Sequence, residues 1–253
     1  MSGRRYGLRD DQWIKIEGLL PGREGHVGGR ANNNRLFIEA VLYRYRSGCA
    51  WRDVPERFGD WKNIHRRHSR WAESGVWKKI FTQLSLDADN EYAMIDSTIV
   101  RAHQHSAGAK KKKDAQAIGR SAGGLSTKIH STCDALGNPT GFYLTAGAVH
   151  DVHGATTLLP SIKANAVLAD KAYYAFEKVI EPLKHRGIHA VIPAKKNSID
   201  PKLHDKVLYK ARHLIENFFC KLKQFRAIAT RYDKTAQNFL GAIHLAAVTI
   251  LLN

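Results

Sequence analysis

Three acidic residues lie where a carboxylate needs an explanation. Asp96 interrupts the apolar, β-branched run YAMIDSTIV at 92–100, and Asp170 ends a second apolar run, NAVLAD. Glu216 is the only acid in the segment YKARHLIENFFCKLK, which is otherwise cationic and apolar. An unpaired carboxylate inside a strand is costly, although Asp96 could accept backbone or hydroxyl hydrogen bonds and Asp170 could cap a helix. Together the three predict carboxylates gathered at one edge of a sheet, where open α/β sheets bind ligands.

Three carboxylates at one edge would suit phosphoryl-transfer chemistry. Carboxylate oxygens are preferred ligands of Mg²⁺ and Mn²⁺. Two such ions, about 3.5–4 Å apart, can hold the attacking and leaving oxygens of an in-line displacement. The sequence contains no Walker loop, G-x-S-x-G or H-E-x-x-H motif, which argues against an ATPase, a serine hydrolase or a zinc protease.

The segment around Glu216 is predicted to be one amphipathic helix from Tyr209 to Lys223. Four polar residues at i, i+3, i+7 and i+14 fall within an arc of roughly 60°, at about 100° per residue: Tyr209, Arg212, Glu216 and Lys223. The opposite side is apolar and should be buried. Arg212 and Lys223 could hold phosphate oxygens, and Tyr209 could stack on DNA or donate a hydrogen bond to it. A merely solvated polar face is the ordinary alternative.

The three acids lie in a region whose patterns alternate between strands and helices. Two β-rich runs follow the first, at 125–134 and 139–149, joined by a turn-forming Ala-Leu-Gly-Asn. Later apolar runs that include Asp170 and residues 188–194 are separated by helical patterns, one of them at 174–186. Hairpin-linked strands pair antiparallel, and strands linked through helices pair in parallel. We therefore expect a mixed sheet flanked by helices, with the apolar C-terminal segment 239–252 as a helix packed behind the Tyr209–Lys223 helix.

The N-terminal region, 1–86, is predicted to be a separate small helical domain. Helical patterns at 8–20, 35–48 and 61–72 are followed by a short one at 76–81, and Asp60 is a plausible N-cap. A helix, a turn and an Arg-rich helix are typical of a helix-turn-helix. Its predicted DNA contacts are Lys62, Arg66, Arg67 and Arg70. A generic three-helix bundle with a cationic surface is the alternative.

Composition favours a polyanionic partner. The 253 residues carry a formal net charge of +17, so double-stranded DNA is the leading partner and an anionic membrane surface the weaker one. Residues 104–123, which contain Lys110–Lys113, are predicted to be a mobile basic loop. Cys49, Cys133 and Cys220 fit neither a disulfide framework nor a zinc ribbon and favour a reducing compartment. No signal peptide is recognised, and the C-terminal apolar run is shorter than a membrane span.

Three motifs resemble one family. The spacing Tyr209-x2-Arg212-x3-Glu216-x6-Lys223 resembles the Y-R-E-K signature of DDE transposases of bacterial insertion sequences, in the insertion-sequence-four/five group. MIDSTIVRAHQHSAGA resembles that group's first-aspartate block. LADKAY resembles its second-aspartate block, with Ala172 in place of the usual glycine. LRDDQWIKIEGLLP and SGCAWRDVPERFGDW resemble its N-terminal region, so the likeness covers nearly the whole chain.

This resemblance implies an RNase H-like catalytic domain at 87–253 with Asp96, Asp170 and Glu216 as the catalytic metal ligands. It also implies two Mg²⁺ or Mn²⁺ ions per site, binding of terminal inverted repeats, cleavage at the transposon ends and joining of the 3′-hydroxyl to target DNA. A homodimer on DNA in the bacterial cytoplasm, associated with the nucleoid, is the expected state. The alternatives are a non-catalytic helix-turn-helix regulator and a plain metal-dependent nuclease.

Overall fold

The structure is a computed structural model that describes residues 6–22, 31, 33–108, 116–121, 123–194 and 205–253. In chain order, its α-helices are α1 (Asp10–Glu17), α2 (Asn34–Ser47), α3 (Trp61–Glu73), α4 (Val76–Leu84), α5 (Asp151–Leu158), α6 (Glu181–His185), α7 (Lys206–Tyr209), α8 (His213–Lys223), α9 (Arg226–Ala229) and α10 (Ala236–Leu251). Its strands are β1 (Tyr92–Ala102), β2 (Gly119–Ser121), β3 (Gly124–Cys133), β4 (Pro139–Ala146), β5 (Ala166–Leu168), β6 (His189–Val191) and β7 (Thr230–Arg231).

These elements group into two compact units. The helical unit lies within Met1–Leu84, His103–Ala109 and Leu222–Asn253, and the sheet unit lies within Ser85–Ala102 and Lys110–Lys221. The C-terminal segment thus groups with the N-terminal helices. The division of the chain into 1–86 for DNA binding and 87–253 for catalysis, as a division of roles, stays a prediction.

The sheet unit is built on a mixed sheet whose order is β2-β3-β1-β5-β6. β1 is antiparallel to β3, and β3 is antiparallel to β4 and, through its first residues, to β2. β1 is parallel to β5, and β5 is parallel to β6. Gly137, at φ +82°, allows the tight turn between β3 and β4. The predicted RNase H-like mixed sheet flanked by helices is confirmed.

The two faces of the sheet pack against different helices. Ala93 and Ile95 of β1 belong to the apolar cluster that also contains Ala155 and Leu158 of α5 and Leu183 of α6. On the other face, Met94 and Leu168 are fully buried and stand side by side in the β1–β5 register. Phe218 of α8 lies 5.8 Å, centroid to centroid, from Phe142 of β4. Side chains of a strand alternate between faces, so even-numbered β1 residues point to the opposite face from Ala93 and Ile95.

Two predicted segments have a different secondary structure from the one expected. Within the predicted loop 104–123, Gln104–Gly108 is a 3₁₀ turn. Gly119–Ser121 is a strand that pairs with β3, and this pairing is possible because Gly124, at φ +95°, lets the chain reverse. Lys110–Lys113 lies outside the described residues. The predicted helix at 174–186 begins as a π-helical turn, Phe176–Ile180, which continues directly into α6 with Pro182 in its first turn.

The predicted continuous helix from Tyr209 to Lys223 is wrong in one detail. α7 ends at Tyr209, Lys210–Arg212 forms a 3₁₀ turn, and α8 then runs from His213 to Lys223. A 3₁₀ turn has about 3.0 residues per turn, so residues three apart stay aligned along the axis. Arg212 therefore remains on the side of Tyr209 while the chain enters α8.

The helical unit has an aromatic core. Phe37 of α2, Trp71 of α3 and Trp77 of α4 contact one another with centroid separations of 4.9–6.0 Å. α10 packs on α3 and α4, and Gly241 makes this approach possible because an added Cβ would lie 2.9 Å from the Cβ of Ala72. The expectation that the C-terminal helix lies behind the Tyr209–Lys223 helix is thus corrected: its apolar surface is buried against the N-terminal helices. Among the described residues, no helix is both long enough and apolar enough to cross a bilayer.

Candidate active site

The alternation of β1 sends Asp96 and Ser97 to opposite faces of the sheet. Asp96 follows Met94 by two residues and points to the face that α8 covers, where its side chain is 17% exposed. Ser97 follows Ile95 by two residues and points to the face that α5 covers. There the Ser97 hydroxyl donates a hydrogen bond to Asp151 at 2.6 Å.

Arg212 joins two of the predicted acids. Its Nη1 donates to Asp96 Oδ2 at 3.0 Å, and its Nη2 donates to Glu216 Oε1 one helical turn away. The Arg212 side chain is 16% exposed, whereas that of Glu216 is 56% exposed. The guanidinium fork suits this role because its donors are fixed in one plane and can reach two carboxylates at once. Arg212 was predicted to contact phosphate, and its ion pairs with Asp96 and Glu216 were not predicted.

Asp170 joins the group through electrostatics. It follows β5, and its Oδ1 accepts a hydrogen bond from the Ala172 amide at 2.8 Å, which caps the 3₁₀ turn Lys171–Tyr173. The cap that the sequence analysis weighed as an alternative is therefore present. Asp170 nevertheless contributes to the electrostatic environment of both Asp96 and Arg212.

The pKa of the Asp96 carboxyl reflects this concentration of charge. Burial raises it, the Ser97 amide and Arg212 lower it, and the negative charges of Asp170 and Glu216 raise it again. The net pKa lies above the ordinary value. For Arg212, burial alone would lower the pKa, but Asp96 and the neighbouring acids outweigh burial and raise it. The three predicted carboxylates therefore lie within electrostatic reach of one guanidinium.

A second set of polar groups lies beside Ser97, on the face of the sheet opposite to Asp96. The Asp151 carboxylate accepts hydrogen bonds from Ser97 Oγ and from Lys128 Nζ, the latter at 2.8 Å. Lys128 is buried and also donates to the Val149 carbonyl at 2.7 Å. Burial would raise the pKa of Asp151, but Lys128 and Ser97 outweigh it and lower that pKa. Lys128 was not predicted as part of the site, because its only signal in the sequence is a lysine within an otherwise β-rich run.

The remaining predicted helix residues lie on either side of the acids. Tyr209 is half-buried and is near enough to Arg212 to raise the pKa of that guanidinium. Lys223 is exposed at the end of α8, about 10 Å along the helix axis from Glu216. Both positions are compatible with contacts to a long anionic ligand, which stay predictions.

The donor set fits a hard divalent cation, although the side chains do not form a closed cage. Asp96 and Glu216 share one guanidinium, and the pKa of Asp96 is raised by burial and, in addition, by the negative charges of Asp170 and Glu216. A divalent cation would relieve the repulsion among these charges, and oxygen ligands are those that Mg²⁺ and Mn²⁺ prefer. In the part of the chain that the structure describes, no group of three or more His, Cys, Asp or Glu stands at ligand spacing.

The predicted DNA contacts of α3 are not equivalent. Lys62, Arg66 and Arg70 are exposed. Arg67 is half-buried: its guanidinium carbon lies 4.2 Å from the centroid of Phe37 and 4.7 Å from that of Trp71. Burial lowers the pKa of Arg67. Arg67 thus packs on the aromatic core, whereas the other three cations face solvent.

Two family models match the chain. The model described as "Putative transposase of IS4/5 family" matches residues 8–81. The model described as "Transposase DDE domain" matches residues 89–251. The second match contains Asp96, Asp170 and Glu216.

Individual proteins are also similar to parts of the chain. The chain is 39% identical over 132 residues to the "Putative transposase for insertion sequence element IS6501" of Brucella ovis, which covers 51% of this chain and 99% of that protein. It is 53% identical over 107 residues to the uncharacterized protein y4sN of Sinorhizobium fredii, covering 42% of this chain and 86% of that protein. Among solved structures, the Mos1 transposase paired-end complex with left transposon end is 8% identical and covers 81% of this chain and 82% of its own, with a TM-score of 0.28.

Proposed function

The chain belongs to the DDE transposase family, and from that premise we propose that it binds terminal inverted repeats, cleaves at the transposon ends and joins the freed 3′-hydroxyl to target DNA. The observation that carries the proposal is that Arg212 joins Asp96 to Glu216, with Asp170 within electrostatic range of both Asp96 and Arg212. Neither capping nor strand pairing requires these acids from distant parts of the chain to share one electrostatic environment.

We assign the three carboxylates as the residues that would hold two Mg²⁺ or Mn²⁺ ions. Such ions supply Lewis-acid stabilisation of the leaving oxygen and activation of the attacking water or hydroxyl. The chain's own contribution is orientation. Asp96 is held by the Ser97 amide at 2.7 Å and by Arg212, so its oxygens are fixed before DNA binds.

Arg212 has a role that differs from the predicted one. Two hydrogen bonds of its guanidinium go to carboxylates of this chain, and its outer edge would contact a phosphate oxygen. We propose that Arg212 first holds Asp96 and Glu216 in place and only then contacts the scissile strand. Tyr209 and Lys223, at either end of the same helical segment, would extend that contact along the DNA backbone.

The exposed cations of α3 support binding of double-stranded DNA. Lys62, Arg66 and Arg70 can neutralise backbone phosphates, and the net charge of +17 favours a polyanion of any sequence. Synapsis of two transposon ends would bring two copies of the chain together, so a homodimer on DNA belongs to the proposal.

Two simpler activities make different predictions. A helix-turn-helix regulator would use α3 alone and would leave the three carboxylates without a shared purpose. A plain nuclease would cut the DNA but would not join ends.

A strand-transfer assay separates the three activities. The protein is incubated with a duplex that carries the inverted repeats flanking its coding sequence, with a supercoiled plasmid, and with Mg²⁺ or EDTA. A transposase gives plasmid covalently joined to the duplex only with Mg²⁺. Cut duplex without joined plasmid would leave the nuclease, and binding without any cut product would leave the regulator.

A further inference from the structure

The helical unit contains a cavity of about 1060 Å³ that the active-site chemistry does not use. Its volume is at the upper end of the range typical of ligand sites, about 300–1,000 Å³. Aromatic, charged and amide side chains line it, among them Arg44, Trp51, Arg52, Trp61, Tyr232 and Asp233.

Arg44 brings a buried positive charge to this cavity. Only 4% of the residue is exposed, and its Nε and Nη1 have no hydrogen-bond partner among the described residues. Its guanidinium carbon lies 4.5 Å from the ring centroid of Tyr45 and 5.1 Å from that of Trp51. The guanidinium packs over these rings, but the rings give its N–H groups no hydrogen-bond acceptor. A buried donor without an acceptor is costly, so the site favours a ligand that supplies one.

Asp233 brings the complementary group. It is 6% exposed, and its Oδ1 accepts a hydrogen bond from the Tyr45 hydroxyl at 3.0 Å. Its Oδ2 has no donor within the described part of the chain. Arg44 and Asp233 both line this cavity, and each keeps a buried polar atom without a partner among the described residues. A ligand that satisfies both must present an acceptor and a donor, which excludes a bare phosphate.

Aromatic rings and exposed cationic side chains also line the cavity. Trp51 and Trp61 line it from one part of the unit, and Tyr232, with the His103 ring stacked on it at 4.7 Å, lines it from another. Arg52 and Lys234 also line the cavity and are exposed. Aromatic walls suit a planar ring, and exposed cations suit the phosphates on either side of it.

We propose that this cavity binds one unpaired nucleobase of a DNA strand. Every nucleobase carries hydrogen-bond donors and acceptors on its edges, and pairing occupies one of those edges. An unpaired base can therefore accept from Arg44, donate to Asp233 and lie between the aromatic walls, with its flanking phosphates near Arg52 and Lys234. This inference rests on the proposed function, since it takes DNA as the ligand.

Three duplexes that share the same paired sequence test the inference with the unaltered protein. The first is fully paired, the second has one unpaired extra nucleotide, and the third has an abasic residue at the same extra position. Dissociation constants are measured by fluorescence anisotropy at one fixed salt concentration. The cavity should bind the duplex with the unpaired base about tenfold more tightly than the other two, as expected for a single base stacked on aromatic side chains.

A matched pair of variants locates the effect. Asp233→Asn keeps Oδ1 as the acceptor for Tyr45 but replaces the free oxygen with an amide group that donates. It should reduce the preference for the unpaired base to about twofold or less, because a donor then faces the donor of the base. Asp53→Asn removes an exposed acid of the same unit that does not line the cavity, and it should keep the preference. If Asp233→Asn does not fold, the three-duplex comparison still decides.

The outcomes separate failure of the inference from failure of the proposed function. Equal binding of all three duplexes overturns the inference and leaves DNA binding intact. Equal binding of the unpaired and abasic duplexes, both tighter than the paired one, means that distortion is recognised, and it also overturns the inference. Absence of binding to any duplex contradicts the proposed function itself. A preference that survives Asp233→Asn places the base elsewhere and overturns the assignment of this cavity.

Discussion

Replacing Lys128 with methionine should destabilise the sheet unit and loosen the strand that carries Asp96. Methionine keeps most of the aliphatic volume but removes the ammonium group. The Lys128 side chain is 9% exposed, and it donates to Asp151 at 2.8 Å and to the Val149 carbonyl at 2.7 Å. Asp151 would then keep Ser97 as its remaining hydrogen-bond donor among those described here.

The magnitude follows from how deeply the pair is buried. Removing one partner of a fully buried ion pair costs about 3–5 kcal/mol. The Asp151 side chain is 24% exposed, so water can partly replace Lys128, and we expect a loss of about 2–3 kcal/mol at pH 7. Asp151→Asn should also destabilise, and the double variant should lose less than the sum of the two, with a coupling of about 1–2 kcal/mol. Lys163→Met, at an exposed lysine of the same unit, is the matched control and should change stability by less than about 0.5 kcal/mol.

The assay must report on the sheet unit. All five tryptophans lie between residues 13 and 77, so their fluorescence follows the helical region. Urea unfolding followed by far-ultraviolet circular dichroism, together with hydrogen exchange of a peptide that contains β1, reports on the sheet. Additive losses, or a Lys128→Met effect equal to that of Lys163→Met, would refute the role of this ion pair.

Three further predictions follow. Burial lowers the pKa of His68 to about 3 in the folded protein, whereas His68 of the unfolded chain binds a proton near pH 6.5. The free energy of unfolding should therefore fall by about 3 kcal/mol between pH 6.5 and pH 4. Unfolding of His68→Phe, measured over the same pH range, should show a shallower fall. Gly154→Ala should cost about 1–3 kcal/mol in thermal or urea unfolding, because its Cβ would lie 2.1 Å from His130 Nδ1 and push α5 off the sheet. Arg212→Lys keeps the charge but loses the fork that reaches two acids, so cleavage of end-containing duplex should slow by about tenfold, while Lys210→Arg, at an exposed neighbour, should not change the rate.

The acids could be found in the sequence because their signal is local. An acid inside an apolar strand-like run, an acid at the end of the next run and a lone acid on a basic helix face are each visible without a partner. Strand alternation then predicts which side of β1 Asp96 occupies. The hairpin between β3 and β4 was also predictable, since its turn residues are specific.

The features that sequence reasoning missed depend on distant contacts. Arg212 was predicted to bind phosphate because the helix pattern shows it beside Glu216 and says nothing of Asp96, 116 residues earlier. Lys128 becomes informative only when β3, β1 and α5 are assembled. The place of α10 was mispredicted because apolar periodicity reveals a buried face but does not identify the surface that buries it.

The most direct test compares Asp96→Asn with Asp87→Asn in Mg²⁺-dependent cleavage of a duplex that carries the terminal repeats. Asparagine is nearly isosteric and keeps one oxygen acceptor for the Ser97 amide, so folding and DNA binding should persist in both variants. We predict that Asp96→Asn reduces the cleavage rate by at least about 100-fold, since even residues that only support metal ligands cost 10–100-fold. Asp87→Asn, at an exposed acid of the same unit, should cleave at the unaltered rate. Cleavage by Asp96→Asn at the rate of Asp87→Asn would contradict the assignment of the active site.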